Sequence, residues 1–269
     1  MSEVPAAWTL AMRAVAALAV NPAGLGGVTV RARPGPVRDA LEGTLGAIPG
    51  THRRIHTALT DAQLFGGLEV AASLAEGRAV RAAGLAETAG TLTLPMAERT
   101  PPSLAARLAQ LLDAGRGHAL ILFDEGAEPD EAAPPALAER LAFHIDLGGI
   151  GHHQARALMP APADLDAARQ ALPDVRPADG HAAQLAALAA RFGIDSLRAP
   201  LLALHAARAL AALSCRTETE DADLRDAAEL VFPSRATRRP EPEPEPEDED
   251  SAPEPQPEEA EASGTDEDQ

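Results

Sequence analysis

The sequence predicts an α/β fold with a parallel sheet, followed by a smaller all-helical region and an acidic tail. From the amino terminus to about residue 159, short apolar segments typical of strands alternate with helical patterns. Between about residues 160 and 239 helical patterns follow one another without strands. From Pro240 to Gln269 the composition changes to proline and 14 acidic residues. We therefore predict three segments: residues 1–159, 160–239 and 240–269.

The first segment begins with a helical pattern over residues 8–20, which Asn21 and Pro22 interrupt. The clearest buried strand is residues 119–123, a continuous apolar run with turn residues on both sides. The other predicted strands are residues 27–30, 91–94 and 142–147. The other predicted helices are residues 37–45, 68–76, 103–114 and 135–141.

The second segment is predicted to be a small all-helical domain with helices at residues 164–172, 181–192, 196–214 and 222–231. Thr219, followed by acidic residues, is the expected N-cap of the last helix. The third segment is predicted to be disordered, because proline and glutamate bury too little apolar area to offset the entropy of ordering.

Composition excludes several classes of function. The formal net charge is −18, but residues 1–239 hold 27 acidic residues against 23 basic ones, all arginine. The acidity thus belongs to the tail, and no basic stripe for nucleic acid is present. The single cysteine, Cys215, excludes an intrachain disulfide framework and suits a reducing cytoplasm. No signal peptide or run of membrane-spanning length is visible, so we expect a cytoplasmic protein.

The strand, loop and helix at residues 27–45 have the context of a phosphate-binding loop, Gly-x-x-x-x-Gly-Lys-Ser/Thr. Ala32 and Val37 stand at the two glycines, Arg38 at the lysine and Asp39 at the hydroxyl residue. Val37 adds a Cβ where backbone should curl around phosphate. Asp39 puts a negative charge where a hydroxyl should hold Mg²⁺ beside phosphates. An ordinary strand, turn and helix is the other interpretation.

Three residues of this loop remain as candidates for phosphate contact: Arg33, Gly35 and Arg38. Arg38 carries a planar fork rather than the compact ammonium of lysine. We therefore expect ATP binding here to be weak or absent.

A second candidate motif is the apolar run that ends in Asp124 and Glu125, which matches a Walker B strand. Asp124 would help to hold Mg²⁺ and Glu125 would polarise water. Solvated acids at a strand end are the alternative. The earlier strand at 91–94 should carry this motif in such a layout, and there Pro95 and Met96 can neither bind metal nor activate water. The sequence therefore predicts no ATP hydrolysis.

Four segments carry a resemblance to the AAA+ subunits of magnesium chelatase. They are residues 21–28, 60–69, 135–143 and 193–199, the last continuing through Arg216 to Thr219. The family's I subunit has intact Walker motifs. Its D subunit is degraded at those places and continues into a proline-rich acidic linker, as residues 240–269 do. The chain therefore resembles the D subunit over nearly its whole length, with an AAA+ P-loop-type core.

The resemblance implies a function. Magnesium chelatase uses ATP to insert Mg²⁺ into protoporphyrin IX at the entry to chlorophyll and bacteriochlorophyll synthesis. The I subunit hydrolyses ATP, the H subunit binds porphyrin, and the D subunit is a platform between them in a ring oligomer. The D subunit normally ends in an integrin-I-like domain with an Asp-x-Ser-x-Ser metal site. That motif is missing from this sequence, so we expect a fragment or truncated form.

The resemblance also implies roles for individual residues. Arg140 is similar to the arginine finger that a subunit donates to its neighbour, and Arg198 is similar to the sensor-2 arginine. The strand before Asp124 is similar to the sensor-1 strand, whose polar residue would fall near Glu128. An ion pair with Glu139 or Asp146 is the structural alternative for Arg140. No metal site is predicted, because the adjacent pair His152 and His153 has no partner at ligand spacing.

Two other functions remain open. An active AAA+ chaperone of the MoxR kind would need Asp124 and Glu125 to be a working Walker B motif. A pure scaffold would bind neither nucleotide nor chelatase. The missing lysine argues against the chaperone.

Overall fold

A parallel sheet of five strands lies at the centre of the computed structural model, which describes residues 4–128, 130–156 and 158–238. The described residues form seven strands in all: β1 (Gly27–Arg31), β2 (Thr51–Arg54), β3 (Gly67–Leu68), β4 (Arg81–Ala82), β5 (Gly90–Leu94), β6 (Ala119–Asp124) and β7 (Phe143–Asp146). The order in the sheet is β2-β5-β6-β1-β7, and β3 pairs with β4 in a separate antiparallel ribbon. The predicted α/β fold with a parallel sheet is confirmed.

The helices of the described residues are α1 (Ala6–Val20), α2 (Pro22–Leu25), α3 (Pro36–Glu42), α4 (Asp61–Phe65), α5 (Val70–Glu76), α6 (Pro102–Asp113), α7 (Pro135–Ala138), α8 (Pro162–Ala171), α9 (His181–Arg191), α10 (Arg198–Leu213) and α11 (Asp221–Val231). Each predicted helix is present, and α2 and α4 occur in addition to them. Asn21 ends α1 and caps α2, because its side-chain oxygen accepts a hydrogen bond from the Gly24 amide at 3.0 Å.

The sheet forms where the sequence is most continuously apolar. All six residues of β6 are buried, since β6 lies between β1 and β5 with packing on both faces. Gly27 faces Leu120 across the β1–β6 pair, and Val28 faces Phe143 across the β1–β7 pair. Helices cover both faces, and α1 packs on β7. The three strands therefore end together at one edge, at Arg31, Asp124 and Asp146.

In the helical part, α8 to α11, the other three helices pack around α10. Alanines line α10, with Ala199, Ala203, Ala206 and others fully buried, and small side chains let α1, α8, α9 and α11 approach it closely. The division at residue 160 stays a prediction. The predicted tail, residues 240–269, lies outside the described residues.

The N-cap prediction for Thr219 is wrong, because α11 begins one residue later, after Glu220. The Asp223 carboxylate accepts a hydrogen bond from the Glu220 amide at 2.9 Å. The Thr219 hydroxyl instead accepts from the Ala178 amide at 3.1 Å and lies 2.8 Å from His181 Nδ1. Thr219 thus connects α11 to the start of α9.

Within the described ranges, no helix has the length and apolar character that crossing a membrane requires.

Candidate functional site

A cleft of about 470 Å³ lies over the carboxyl ends of β1, β6 and β7. Arg31, Asp124 and Asp146 line it from the three strands, and the loop before α3 forms one wall. Ligands of open α/β sheets bind at the carboxyl ends of parallel strands, so this is where a nucleotide would be expected. The predicted candidates Arg33, Gly35 and Arg38 all line this cleft.

Arg38 is bound inside the fold. Its side chain is 4% exposed; Nε donates to Glu42 at 2.7 Å and Nη1 donates to Glu125 at 2.6 Å. The guanidinium also lies 4.0 Å from the centre of the Phe123 ring. Burial acts to lower the pKa of Arg38, but the hydrogen bonds with Glu125 and Glu42 raise it overall. The positive charge of Arg38, which a phosphate would need, is therefore already paired with two carboxylates.

Arg31 is also engaged. Its Nη2 donates to the carbonyl oxygens of Gly126 at 3.2 Å and Glu128 at 3.0 Å. Its Nη1 lies 3.8 Å from the Asp124 carboxylate. These contacts tie the end of β1 to the loop after β6. Among the cleft's arginines, only Arg33 forms no hydrogen bond or ion pair with the described part of the chain.

The loop has fewer backbone donors than a phosphate-binding loop. A phosphate loop surrounds its ligand with backbone N–H groups. Pro34 and Pro36 have none, and Pro36 occupies the first turn of α3. A Cβ added at Gly35 would meet nothing within 4 Å, so no neighbouring atom of the described residues excludes a side chain there. The residues of the cleft therefore do not fit the phosphates of ATP. The two prolines are a signal in the sequence that could have indicated this loss of donors.

The acidic pair after β6 has structural partners. Asp124 accepts hydrogen bonds from the amides of Gly126 at 2.9 Å and Ala133 at 3.2 Å, and so shapes the following loop. Glu125 is the partner of Arg38. Glu128, the expected sensor-1 position, is exposed and contributes its carbonyl oxygen to Arg31. In the described ranges, no group of three or more histidine, cysteine or acidic residues could hold a metal ion.

Arg140 lies at the opposite end of the sheet, before the amino end of β7. The Ala142 amide donates to the Leu25 carbonyl at 2.9 Å, which fixes this turn beside the start of β1. Gly26 has a φ of +69°, and a Cβ there would collide with the Arg140 carbonyl oxygen. Gly26 thus permits the close approach of the chain before β1 to the Arg140 turn.

The side chain of Arg140 forms a fork with Asp113 at the end of α6. Nε lies 3.0 Å and Nη2 2.6 Å from carboxylate oxygens of Asp113, and Nη1 donates to the Ala136 carbonyl at 2.7 Å. This hydrogen bonding raises the pKa of Arg140 and lowers the pKa of Asp113. The alternative partners considered from sequence, Glu139 and Asp146, are wrong. The ion-pair partner is 27 residues away along the chain.

Arg198 belongs to the same end. Its Nη2 lies 3.2 Å from Asp113 Oδ1, so Arg140 and Arg198 share one carboxylate. The structure therefore brings the two predicted arginines together and separates them from the cleft that holds Arg33, Gly35 and Arg38.

Arg235, which no sequence pattern indicated, supports the Arg140 turn. It follows α11 and donates to the carbonyl oxygens of Leu141, of Ala142 at 3.2 Å and of Val231 at 2.6 Å. Burial lowers the pKa of Arg235 to about 10. Only the folded chain brings the carbonyls of Leu141 and Ala142 to Arg235, so no local signal could have indicated that Arg235 supports this turn.

Comparisons with known proteins agree with this architecture. The AAA lid domain family matches residues 182–256. A putative ATPase from Cytophaga hutchinsonii superposes with a TM-score of 0.61 at 14% identity, over 82% of this chain and 81% of that one. A full-length MCM homolog from Methanopyrus kandleri gives a TM-score of 0.56 at 16% identity, over 84% of this chain and 55% of that one. These structures support the AAA+ fold alone.

Sequence similarity is much higher to two curated proteins. The magnesium-chelatase 60 kDa subunit of Cereibacter sphaeroides is 48% identical over 229 residues, which are 85% of this chain and 41% of that protein. The protein of the same name from Rhodobacter capsulatus is 44% identical over 225 residues, 83% of this chain and 40% of that protein. The chain spans about two fifths of the length of these relatives. Over that length, the chain belongs to the family of magnesium-chelatase D subunits, with an AAA+ core and a helical lid.

Proposed function

We propose that the chain is a non-hydrolysing AAA+ subunit of magnesium chelatase. It acts in the cytoplasm as a platform for the ATPase subunit while Mg²⁺ is inserted into protoporphyrin IX for (bacterio)chlorophyll synthesis. One observation carries this proposal: Arg38 is bound to Glu125 and Glu42 in the chain's own cleft, while Arg140 lies at the other end of the sheet. The arginine at the lysine position of the chain's own phosphate loop is thus taken up by internal partners, and the chain retains an arginine that a neighbour could use.

The lack of hydrolysis is argued from the cleft. Phosphoryl transfer needs positioned cations, a metal-binding hydroxyl and a group that orients water. Here Arg38 and Asp124 serve internal contacts, Asp39 replaces the hydroxyl, and two prolines remove amides. Removing a single transition-state contact commonly costs about 3 kcal/mol of barrier, and here several are missing together.

The role of Arg140 is argued from its location. AAA+ rings form each ATP site at a subunit boundary, so an arginine far from its own cleft can serve only the adjacent subunit. Guanidinium remains charged at any physiological pH and grips phosphate oxygens with two parallel hydrogen bonds. An arginine supplied by a neighbour can raise the rate by roughly 10³–10⁵.

The partners follow from the family. The relatives are named as subunits of magnesium chelatase, and we propose that the chain forms a ring with the ATPase I subunit and also binds the porphyrin-binding component of the enzyme, the H subunit. Mg²⁺ is then a substrate of the complex, and ATP is bound and hydrolysed by the I subunit.

Hydrolysis and assembly test the proposal against its alternatives. The isolated chain should hydrolyse no ATP above buffer. A turnover of roughly 1 per second or more, in the usual enzyme range, that disappears in Asp124→Asn/Glu125→Gln would instead support a chaperone. Mixed with the I subunit and ATP, the chain should elute from a sizing column as a larger complex. Failure to associate under conditions where the I subunit forms its own ring would leave only the scaffold.

A further inference from the structure

Asp113 is the only described carboxylate in contact with both Arg140 and Arg198. Arg140 belongs to the sheet-bearing part of the chain, and Arg198 begins α10 of the helical part. Asp113 itself ends α6. One carboxylate therefore joins three elements and brings arginines from two parts of the chain to a single point. Ser196, whose hydroxyl donates to Glu139 at 3.0 Å, adds a second link beside it.

We propose that Asp113 is a positioning residue that holds Arg140 and Arg198 side by side as one receptor for the terminal phosphate of a nucleotide on the adjacent subunit. This inference rests on the proposed function. Two guanidinium groups close together repel each other, and a shared carboxylate offsets that repulsion. Without it, we expect the two side chains to separate and sample many rotamers.

The receptor keeps free donors and stays accessible. Each guanidinium has five N–H groups. Asp113 and the Ala136 carbonyl occupy some donors of Arg140, whereas Arg198 has a single ion-pair contact through Nη2. The side chains of Arg140, Arg198 and Asp113 are 19%, 45% and 38% exposed, so an anion can reach them from solvent. The net charge of the three groups is positive, which suits a phosphate.

Steady-state hydrolysis of ATP by the I subunit, in complex with the full-length protein, tests this assignment. Because mispositioning a catalytic group costs up to about 10²-fold, Asp113→Asn should lower kcat by roughly 10- to 100-fold and leave the KM for ATP nearly unchanged. Asp113→Glu, which keeps the charge, should restore most of the rate. Asp226→Asn is the matched control: Asp226 is a half-exposed carboxylate paired with Arg13 and remote from Asp113, and its loss should leave kcat unchanged.

A double variant separates this inference from the proposed function. If Asp113 acts through the arginines, Asp113→Asn should cause little further loss in an Arg140→Ala background. An unchanged or higher kcat in Asp113→Asn alone would overturn the inference, as would a fully additive loss or a failure of Asp113→Glu to restore the rate. A normal rate in Arg140→Ala would instead refute the proposed function. Melting temperatures of all variants identify losses caused by unfolding.

Discussion

The two ends of the sheet hold similar charges in different surroundings. At the carboxyl end, Arg38 is sealed between Glu42, Glu125 and the ring of Phe123. At the amino end, Arg140 and Arg198 meet a carboxylate that is partly open to solvent. A buried arginine with two carboxylate partners is committed to internal contacts of the fold. An arginine at an accessible carboxylate can exchange that partner for another anion.

The difference explains how a subunit can lose one function and keep another. The cleft and the arginine pair lie at opposite ends of parallel strands, so substitutions at the cleft do not touch the pair. In the proposed ring, an active subunit would use its cleft for its own nucleotide and the other end for its neighbour's. The four predictions that follow test this separation, from the largest expected effect to the smallest.

Substituting Arg140 should give the largest effect. We expect Arg140→Ala to lower the ATP hydrolysis that this subunit confers on the I subunit by roughly 10³-fold or more, the lower range for an arginine supplied in trans. Folding and binding to the I subunit should change little, because the guanidinium lies at the surface. Activity in the mixed complex and elution on a sizing column measure both effects. Normal assembly with full activity would mean that Arg140 is only an ion-pair residue.

Substituting Glu125 should affect stability and not the stimulated rate per assembled complex. Glu125→Gln leaves the Arg38 charge buried with one carboxylate, and breaking a buried ion pair costs about 3 kcal/mol of unfolding free energy. Urea unfolding checks this value. The double variant Arg38→Met/Glu125→Gln should recover part of it, while Asp226→Asn at the exposed Arg13 pair should cost under about 1 kcal/mol. Equal losses at Glu125 and Asp226 would contradict the distinction between a buried ion pair and a more exposed one.

His144 predicts a pH dependence at the Arg140 turn. Burial, with a contribution from the Arg235 charge, lowers the pKa of His144 to about 4. Because the unfolded chain takes up this proton near pH 6.5 and the folded chain near 4, stability should fall as the pH drops between these values. The expected loss from pH 7 to pH 5 is about 2 kcal/mol. His205, whose pKa burial also lowers, acts in the same direction.

Denaturant unfolding at the two pH values measures the slope for the wild type and for His144→Gln. The variant should lose most of the difference in unfolding free energy between pH 7 and pH 5. If both proteins show the same slope, His144 does not carry it.

Replacing glycine by alanine should change the unfolding free energy much less at the cleft than at the other end of the sheet. The change at the cleft is the smallest effect that we expect. Gly35→Ala should change the unfolding free energy by less than about 0.5 kcal/mol, as for a substitution without a structural role, since a Cβ there meets no atom within 4 Å. Gly26→Ala should destabilise by more than about 1 kcal/mol, because alanine is strained at positive φ and its Cβ meets the Arg140 carbonyl. Melting curves rank the two, and the reverse order would refute the geometry.

The sequence predicted the elements that have a strong hydrophobic signal. β6 was found because a continuous apolar run indicates a buried parallel strand, and β5 was found at the alternation of threonine and leucine over residues 91–94. β2 was missed, because Thr51–Arg54 is a polar, mostly exposed edge strand. α4 was also missed, although Thr60 and Gln63 form the capping box that marks its start. Its five residues are too short to show helical periodicity.

The candidate site was predicted less completely. Residue types alone indicated that the phosphate loop was degenerate, and the family resemblance pointed to Arg140 and Arg198. Their common partner Asp113 could not be predicted, because it lies 27 positions from Arg140 and the contact depends on where α6 and α7 end and where α10 begins. The contact between Arg38 and Glu125 spans 87 positions and depends in the same way on the folded sheet.

The contact between Arg38 and Glu125 has a consequence for how the subunit responds to its surroundings. A free ligand stabilises a fold in proportion to the logarithm of its concentration. A carboxylate in the same chain has a fixed effective concentration, set only by the distance that the fold imposes. Under the proposed function, in which the cleft binds no ATP, the occupancy of this contact does not follow the cell's ratio of ATP to ADP, and we expect the same conformation of the cleft in energy-rich and energy-poor conditions.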